Sequence, residues 1–154
     1  MQKISAGIIL YRRREGRLKV LLVHPGGPFW KKKDLSVWSI PKGEPDEGEN
    51  LLSAAKREFE EELGLVPPQG EFLPLGTITQ RSGKIVRAWA VEGDYDVKSI
   101  KSNTIKIEWP PRSGKFREFP EVDRAEFFEV EEAKKKINPA QVELLERLEA
   151  AITN

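Results

Sequence analysis

Residues 43–65 read GEPDEGENLLSAAKREFEEELGL, a segment that divides at Asn50 into a loop and a helix. Pro45 and Gly48 punctuate the first half, which has no apolar periodicity to support regular structure. Asn50 suits an N-cap, since its side-chain oxygen takes an otherwise orphaned N–H of the first turn. Gly64 suits a C-cap, because a residue without Cβ enters the left-handed region freely, and Pro67-Pro68 bars continuation. Between these caps, Leu52, Ala55, Phe59 and Leu63 recur at helical spacing and predict one buried stripe. Glu58, Glu61 and Glu62 fall in a separate arc of about 100° on the same helix. Like charges at that spacing repel, so such an arc is ordinarily a solvated face unless something positive is held against it. Carboxylate oxygens converging beside a turn suit a hard divalent cation such as Mg²⁺ or Mn²⁺. Arg57, adjacent in the chain, is placed to hold one carboxylate in a fixed rotamer.

Outward from this helix the chain alternates mainly between strands and turns. Residues 4–11 and 18–23 are rich in aliphatic and β-branched side chains and flank Glu15-Gly16, which predicts a hairpin. Residues 24–33, with Pro25-Gly26-Gly27-Pro28, read as a loop, and 36–40 as a short strand stopped by Pro41. Further strands are expected at 73–79, 85–91, 105–109 and 125–130. A closing helix is expected from Pro139 to Ile152, with Val142, Leu145, Leu148 and Ile152 on one face. Strands outnumber helices, and the helices stand too far apart for repeated βαβ units. The expectation is one α+β domain over residues 1–154, with helices on both sides of a mixed sheet.

Composition narrows the chemistry. The chain has 154 residues, of which 38% are hydrophobic and 33% charged, with no cysteine and one histidine, His24. Disulfides, thiolate metal sites and a cysteine nucleophile are excluded, and a histidine-based triad is disfavoured. No apolar run reaches the ~20 residues of a membrane-spanning helix, and no signal-type segment opens the chain, which makes the cytoplasm the default expectation. The net charge of +1 conceals a division. Residues 44–62 hold eight acids against two bases, a net −6, so the remainder carries +7. An acidic pocket within a basic body is the expected arrangement.

Gly43, Glu49, Arg57-Glu58, Phe59, Glu61-Glu62, Gly64 and Leu65 match the pattern G-x5-E-x7-R-E-U-x-E-E-x-G-U, with U a bulky apolar residue. At average residue frequencies, chance would produce it about once in a million chains of this length. The pattern resembles the signature of the Nudix hydrolases. Phe59 stands where that family usually has an aliphatic residue, a change confined to the buried stripe. Residues 38–43, WSIPKG, resemble the strand and turn before the signature, with Lys42 where a glycine is common. Within the family the chain looks most similar to MutT-related nucleotide pyrophosphohydrolases and diadenosine polyphosphate hydrolases.

The resemblance implies a Nudix-type α/β/α sandwich and water attack on a phosphorus of a nucleoside diphosphate linked to another group. It implies that Glu58, Glu61 and Glu62 carry the metal, with the backbone carbonyl near Lys42-Gly43 completing the site. Arg57 would fix a catalytic glutamate, and Glu49 would orient the loop. Divalent ions neutralise non-bridging oxygens and lower the pKa of bound water, so such hydrolysis needs no covalent intermediate. A separate general base would be a carboxylate: Glu121 before the 125–130 strand is favoured over Glu118 and Glu108.

Basic side chains should clamp the phosphates. Lys42 adjoins the metal loop, Arg81 and Lys84 belong to an expected hairpin, and Arg112 and Lys115 occupy another loop. Stacking on a nucleobase falls to aromatics in Pro/Gly-rich loops, namely Phe29, Trp30 and Trp109, while Trp38 and Trp89 are expected in the core. His24 is expected to make a structural hydrogen bond. The triplets 12–14, 31–33 and 134–136 are read as solubilising surface. Expected substrates are nucleoside triphosphates or dinucleoside polyphosphates. An RNA 5′ end is a competing substrate, and a catalytically silent nucleotide-binding module is the alternative outside the enzyme class.

Overall fold

The computed structural model describes residues 3–152. β1 (Ile4–Arg14) and β2 (Arg17–Pro25) form the expected hairpin. Glu15 and Gly16 both take positive φ, 53° and 75°, the handedness that matches the twist of the paired strands. β3 (Lys42–Gly43) is a two-residue strand that precedes α1 (Leu51–Leu63), and β4 (Leu73–Thr79) and β5 (Ile85–Glu92) follow. β6 (Thr104–Glu108) pairs with β7 (Phe116–Pro120) in a separate ribbon, and β8 (Val122–Glu129) returns to the main sheet. α2 (Val130–Lys136) and α3 (Val142–Ile152) end the chain, joined through a 3₁₀ turn, Pro139–Gln141.

The main sheet runs β4-β5-β1-β2-β8, with β3 paired to β1. Only the β1–β5 pairing is parallel, so the sheet is mixed, as expected. Both faces of β1 are covered, which explains why residues 6–11 are apolar without alternation. Ala6, Ile8 and Leu10 pack with Ala54, Ala55, Phe59 and Leu63 of α1. Ile9 and Tyr11 face the other way, against Ala133 of α2 and Leu144, Leu145 and Leu148 of α3. The acidic helix is therefore seated by its stripe on one face of the sheet, and its other side is left for the carboxylates.

Three local expectations change. Residues 36–40 form no strand but two isolated bridges, Val23 with Ser39 and Trp38 with Ile137. Ser36 sits at φ 66°, outside the strand region, and the backbone donors go elsewhere: Trp38 N–H to the Lys136 carbonyl at 2.9 Å and Ile40 N–H to Gln141 Oε1 at 3.0 Å. β7 was not expected, because residues 116–120 carry three polar or proline positions and pair only with β6. The triplet 134–136 proves to be the last turn of α2, where cations complement the carbonyl end of the helix.

Candidate active site

The loop before α1 is tied to the helix by a single guanidinium. Arg57 Nε and Nη2 donate to the two oxygens of Glu49, at 3.0 and 2.9 Å. Its Nη1 donates to Glu58 Oε1 and Glu61 Oε1, each at 3.0 Å, and Nη2 also reaches the Glu44 carbonyl at 3.1 Å. All five N–H groups are thus used, a fork that lysine cannot reproduce. Glu49 Oε1 in turn accepts the Asp46 N–H at 2.9 Å, which closes the loop on itself. Asn50 caps the helix through Leu52 N–H and Ser53 N–H, and Gly64 ends it at φ 70°.

β3 brings the loop to the sheet, with Ala6 opposite Gly43 and Gly7 opposite Lys42. Gly43 is held against the helix so closely that a Cβ would lie 2.1 Å from the Glu58 carboxyl carbon. The result is a cavity of about 470 Å³ at the edge of the sheet, into which Lys42, Gly43, Glu58, Glu62, Lys84 and Glu121 project. Glu121 comes from a distant segment and is positioned by its backbone. Its N–H donates to the Asn103 carbonyl at 2.9 Å, and its carbonyl accepts from Gly26 N–H at 2.8 Å.

Burial and crowding of like charge dominate the electrostatics. Glu62, only 6% exposed, is pushed up to about 9 by burial and then by the charges of Glu121 and Glu58. Lys42 and its backbone N–H, which Glu62 accepts, oppose that shift without cancelling it. Glu58 is raised by burial and by Glu61, against the hydrogen bond from Arg57. Glu49 is held below the usual carboxylate range by Arg57, whose own pKa is raised chiefly by Glu49. Lys42 is lowered by burial and by the neighbouring Lys84, with Glu62, Glu121 and Glu58 pulling the other way.

Of the residues singled out from sequence, Lys42, Gly43, Glu58, Glu62, Lys84 and Glu121 meet in one cavity. Arg57 stands behind it, and Glu61, 41% exposed, is turned to Arg57 rather than into the cavity. Arg81 is exposed on the turn between β4 and β5, away from the lining that Lys84 joins. Trp30 lies outside the cavity with the Lys33 ammonium 5.2 Å from its ring, and Trp109 belongs to a neighbouring cleft. Glu108 accepts from Arg112 and Gly114 N–H groups and so serves its own loop, while Glu118 lies within β7 opposite Lys106. Three polar lining residues were missed, Ser5, Ser39 and Glu44. Ser5 is fully buried and lines the cavity, and among the described residues its hydroxyl has no hydrogen-bond partner. Its only signal was a polar residue opening an apolar strand.

Among the described residues no three acidic or histidine side chains cluster tightly enough to enclose a cation in this arrangement. The donor chemistry nonetheless fits one. Four carboxylates, Glu44, Glu58, Glu62 and Glu121, line one cavity, and Glu58 and Glu62 are raised first by burial and then by neighbouring negative charge, which a hard cation would offset.

A mixed sheet lies between helices, with an arginine-clamped carboxylate helix entered through a loop that pairs to β1. The chain belongs to the Nudix family: the family profile described as NUDIX domain matches residues 1–148. It is similar to Nudix hydrolase 7 of Arabidopsis thaliana, 28% identical over 113 residues, covering 70% of this chain and 39% of that protein. It also matches the mRNA-decapping protein g5R of African swine fever virus, 50% identical over 38 residues, 25% of this chain and 15% of that protein. The chain thus spans well under half the length of these curated relatives. Among solved structures, a Caenorhabditis elegans Ap4A hydrolase binary complex superposes with TM-score 0.69 at 23% identity, covering 96% of this chain and 97% of that one. The NUDIX domain of Shewanella oneidensis NrtR, complexed with ADP ribose, gives 0.66 at 20% identity over 99% and 90%. These two likenesses establish the fold. Among the described residues no helix is long and apolar enough to cross a membrane.

Proposed function

We propose that the chain is a divalent-cation-dependent pyrophosphohydrolase that cleaves a phosphoric anhydride bond in a nucleotide. The observation that carries this reading is the meeting of Glu58, Glu62 and Glu121 with Lys42 and Lys84 in one cavity. Carboxylates alone suit a cation and lysines alone suit a phosphate, while the two sets facing one space suit a polyphosphate brought to a cation.

Glu58, Glu62 and the Gly43 carbonyl would hold Mg²⁺ or Mn²⁺, with Glu61 joining them on turning from Arg57, and the ion when bound would neutralise phosphate charge and acidify water. Arg57 positions Glu58 and Glu61, so its role is exercised through them. Lys42 and Lys84 bind non-bridging phosphate oxygens and keep the anhydride over the carboxylates. Glu121 accepts the proton of the attacking water as the new oxygen–phosphorus bond forms and the anhydride bond breaks, with the leaving phosphate departing with the bond pair. No residue is phosphorylated or nucleotidylated along this route.

The similarity to an Ap4A hydrolase and to a nucleotide-liganded NUDIX domain favours small nucleotides, either nucleoside triphosphates or dinucleoside polyphosphates. The RNA 5′-end alternative draws on the viral decapping relative. A nucleotide panel with Mg²⁺, with products identified by mass, tests the reading. Release of a nucleoside monophosphate from wild type and its loss in Glu62→Gln is the expected result. Unchanged release by the variant refutes it, and steep salt dependence for RNA alone favours the competitor.

A further inference from the structure

The pairing of β2 with β8 breaks at the point where it delivers Glu121 to the cavity. The register is regular from Lys19 opposite Glu129 to His24 opposite Arg124, and then Pro25 stands opposite Val122. Asp123 is passed over and bulges from the ladder. Pro25 has no N–H with which to continue the pairing, and a bulge bends its strand and re-aims the side chains beside it. Glu121 and Val122, just before the bulge, line the cavity. Three bonds hold this irregular stretch. Val122 N–H donates to Ser102 Oγ at 3.0 Å, Gly26 N–H to the Glu121 carbonyl at 2.8 Å, and Asp123 Oδ1 lies 2.8 Å from His24 Nδ1.

His24 is the only histidine of the chain and is fully buried. Both of its ring nitrogens face acceptors: Nδ1 the Asp123 carboxylate, and Nε2 the Lys33 carbonyl at 2.6 Å. A backbone carbonyl can only accept, so Nε2 carries a proton. A neutral imidazole has no second one, and its bare Nδ1 would meet the carboxylate lone pair to lone pair. Both contacts are bonds only if both nitrogens donate. A buried imidazolium needs a compensating anion, and Asp123 supplies it. Among the described residues His24 has no other ion pair. Around it, Trp38 meets the ring edge-on at 5.0 Å and carries the Arg124 guanidinium 5.1 Å from its own centroid. Trp38 Nε1 donates to Asp34 at 3.0 Å, and Asp34 is paired with Lys136. With both nitrogens committed, His24 has no lone pair to offer a substrate.

We infer that His24, protonated on both ring nitrogens, is a positioning residue: through Asp123 it fixes the β8 bulge and with it the direction in which Glu121 enters the cavity. Through the Lys33 carbonyl the same ring fixes residues 24–33, of which Pro25 lines that space. Such a pin is needed because Glu121 shares the cavity with Glu58 and Glu62, like charges that repel it. A carboxylate so placed stays in line only where the backbone behind it cannot yield. The inference rests on the pyrophosphohydrolase reading, in which Glu121 is the base, and adds what keeps that base in place.

With one histidine in the chain, ¹⁵N NMR of labelled protein reads the two ring nitrogens directly. Wild type at neutral pH should show both as protonated, and one unprotonated nitrogen overturns the inference. In Asp123→Asn the amide can donate to a bare Nδ1, so the ring should fall to a single proton on Nε2 with the contact kept. Steady-state kinetics on the nucleotide that wild type cleaves best reads the positioning. Asp123 is truncated rather than His24 because its side chain is 31% exposed. Asp123→Ala should lower kcat about 100-fold, the scale of a catalytic group displaced by about 1 Å, with KM changed by less than about 2-fold. Asp123→Asn should recover most of that rate. Asp123→Ser, whose hydroxyl is too short to reach Nδ1, repeats the comparison if the alanine variant does not fold. A lowered melting temperature with kcat per folded molecule unchanged is what a merely structural tie gives, and it overturns the positioning role. If wild type cleaves no nucleotide, the pyrophosphohydrolase reading fails while the ring protons still decide the pin. If it cleaves and the folded variants keep its kcat, the inference fails and the reading stands.

Discussion

Replacing Glu62 by glutamine removes one charge and almost no volume from the most buried carboxylate of the site. Glu62 moves from 4.5 in the unfolded chain to about 9 in the fold, driven by burial first and by Glu121 and Glu58 after it. A raised folded value means that folding takes up a proton between those limits. In the cation-free protein the contribution of Glu62 is therefore fully present below about pH 4.5 and is lost as pH rises toward 9. The slope is about 1.4 kcal/mol per pH unit, so roughly 4 kcal/mol is lost by pH 7.5. Glutamine does not titrate, and its amide can still accept the Lys42 N–H. Urea unfolding of both proteins from pH 5 to 9 in chelator should show the variant gaining on wild type by about that slope, a difference that reports Glu62 together with its coupling to Glu121, Glu58 and Lys42. Added Mg²⁺ should reverse the order, raising wild type by mass action while helping the variant far less. Parallel pH profiles in chelator would refute the electrostatic account of the site.

Arg57→Lys keeps a cation but replaces a five-donor fork by a single ammonium, so Glu49 and Glu58 lose fixed partners. We expect a fall of about 1–3 kcal/mol in chemical denaturation and a loss in kcat larger than any change in KM. Gly43→Ala drives a methyl group into the Glu58 carboxylate, and because β3 is pinned to β1 the carboxylate must move. Stability should drop by about 1–3 kcal/mol by thermal melting, with activity falling further than stability explains. Ser5→Ala is the opposite case: the hydroxyl has no partner to lose, so stability should hold or rise slightly, while a raised KM for nucleotide would identify the hydroxyl as a substrate contact.

How much of this was legible beforehand follows from distance along the chain. The loop–helix unit was readable because its interactions are local. Asn50 caps the turn that begins beside it, Arg57 reaches Glu58 and Glu61 within one helical turn, and Glu49 lies eight positions back. The β1–β2 hairpin was readable for the same reason, with Glu15-Gly16 supplying the turn. The 36–40 segment was misread because its composition suits a strand while its hydrogen bonds go to α2 and Gln141, about a hundred residues away. β7 escaped notice because a two-stranded ribbon off the main sheet needs no alternating apolar face.

By itself the amino-acid order determined the acidic helix, its caps, its buried stripe and the carboxylates that leave the other side charged, since those properties follow from spacing along one helix. The second half of the site came only with tertiary structure. Lys84 enters from the turn before β5, Ser5 from the start of β1, and Glu121 through backbone bonds to Asn103 and Gly26. The aromatic cleft beside them joins residues 27–31 to 109–123. None of these meetings has a periodicity or a motif, because sheet pairing brings together segments whose sequences are free to differ. The −6 of residues 44–62 could be located from the sequence, while the cations that answer it found their positions only when the strands were paired.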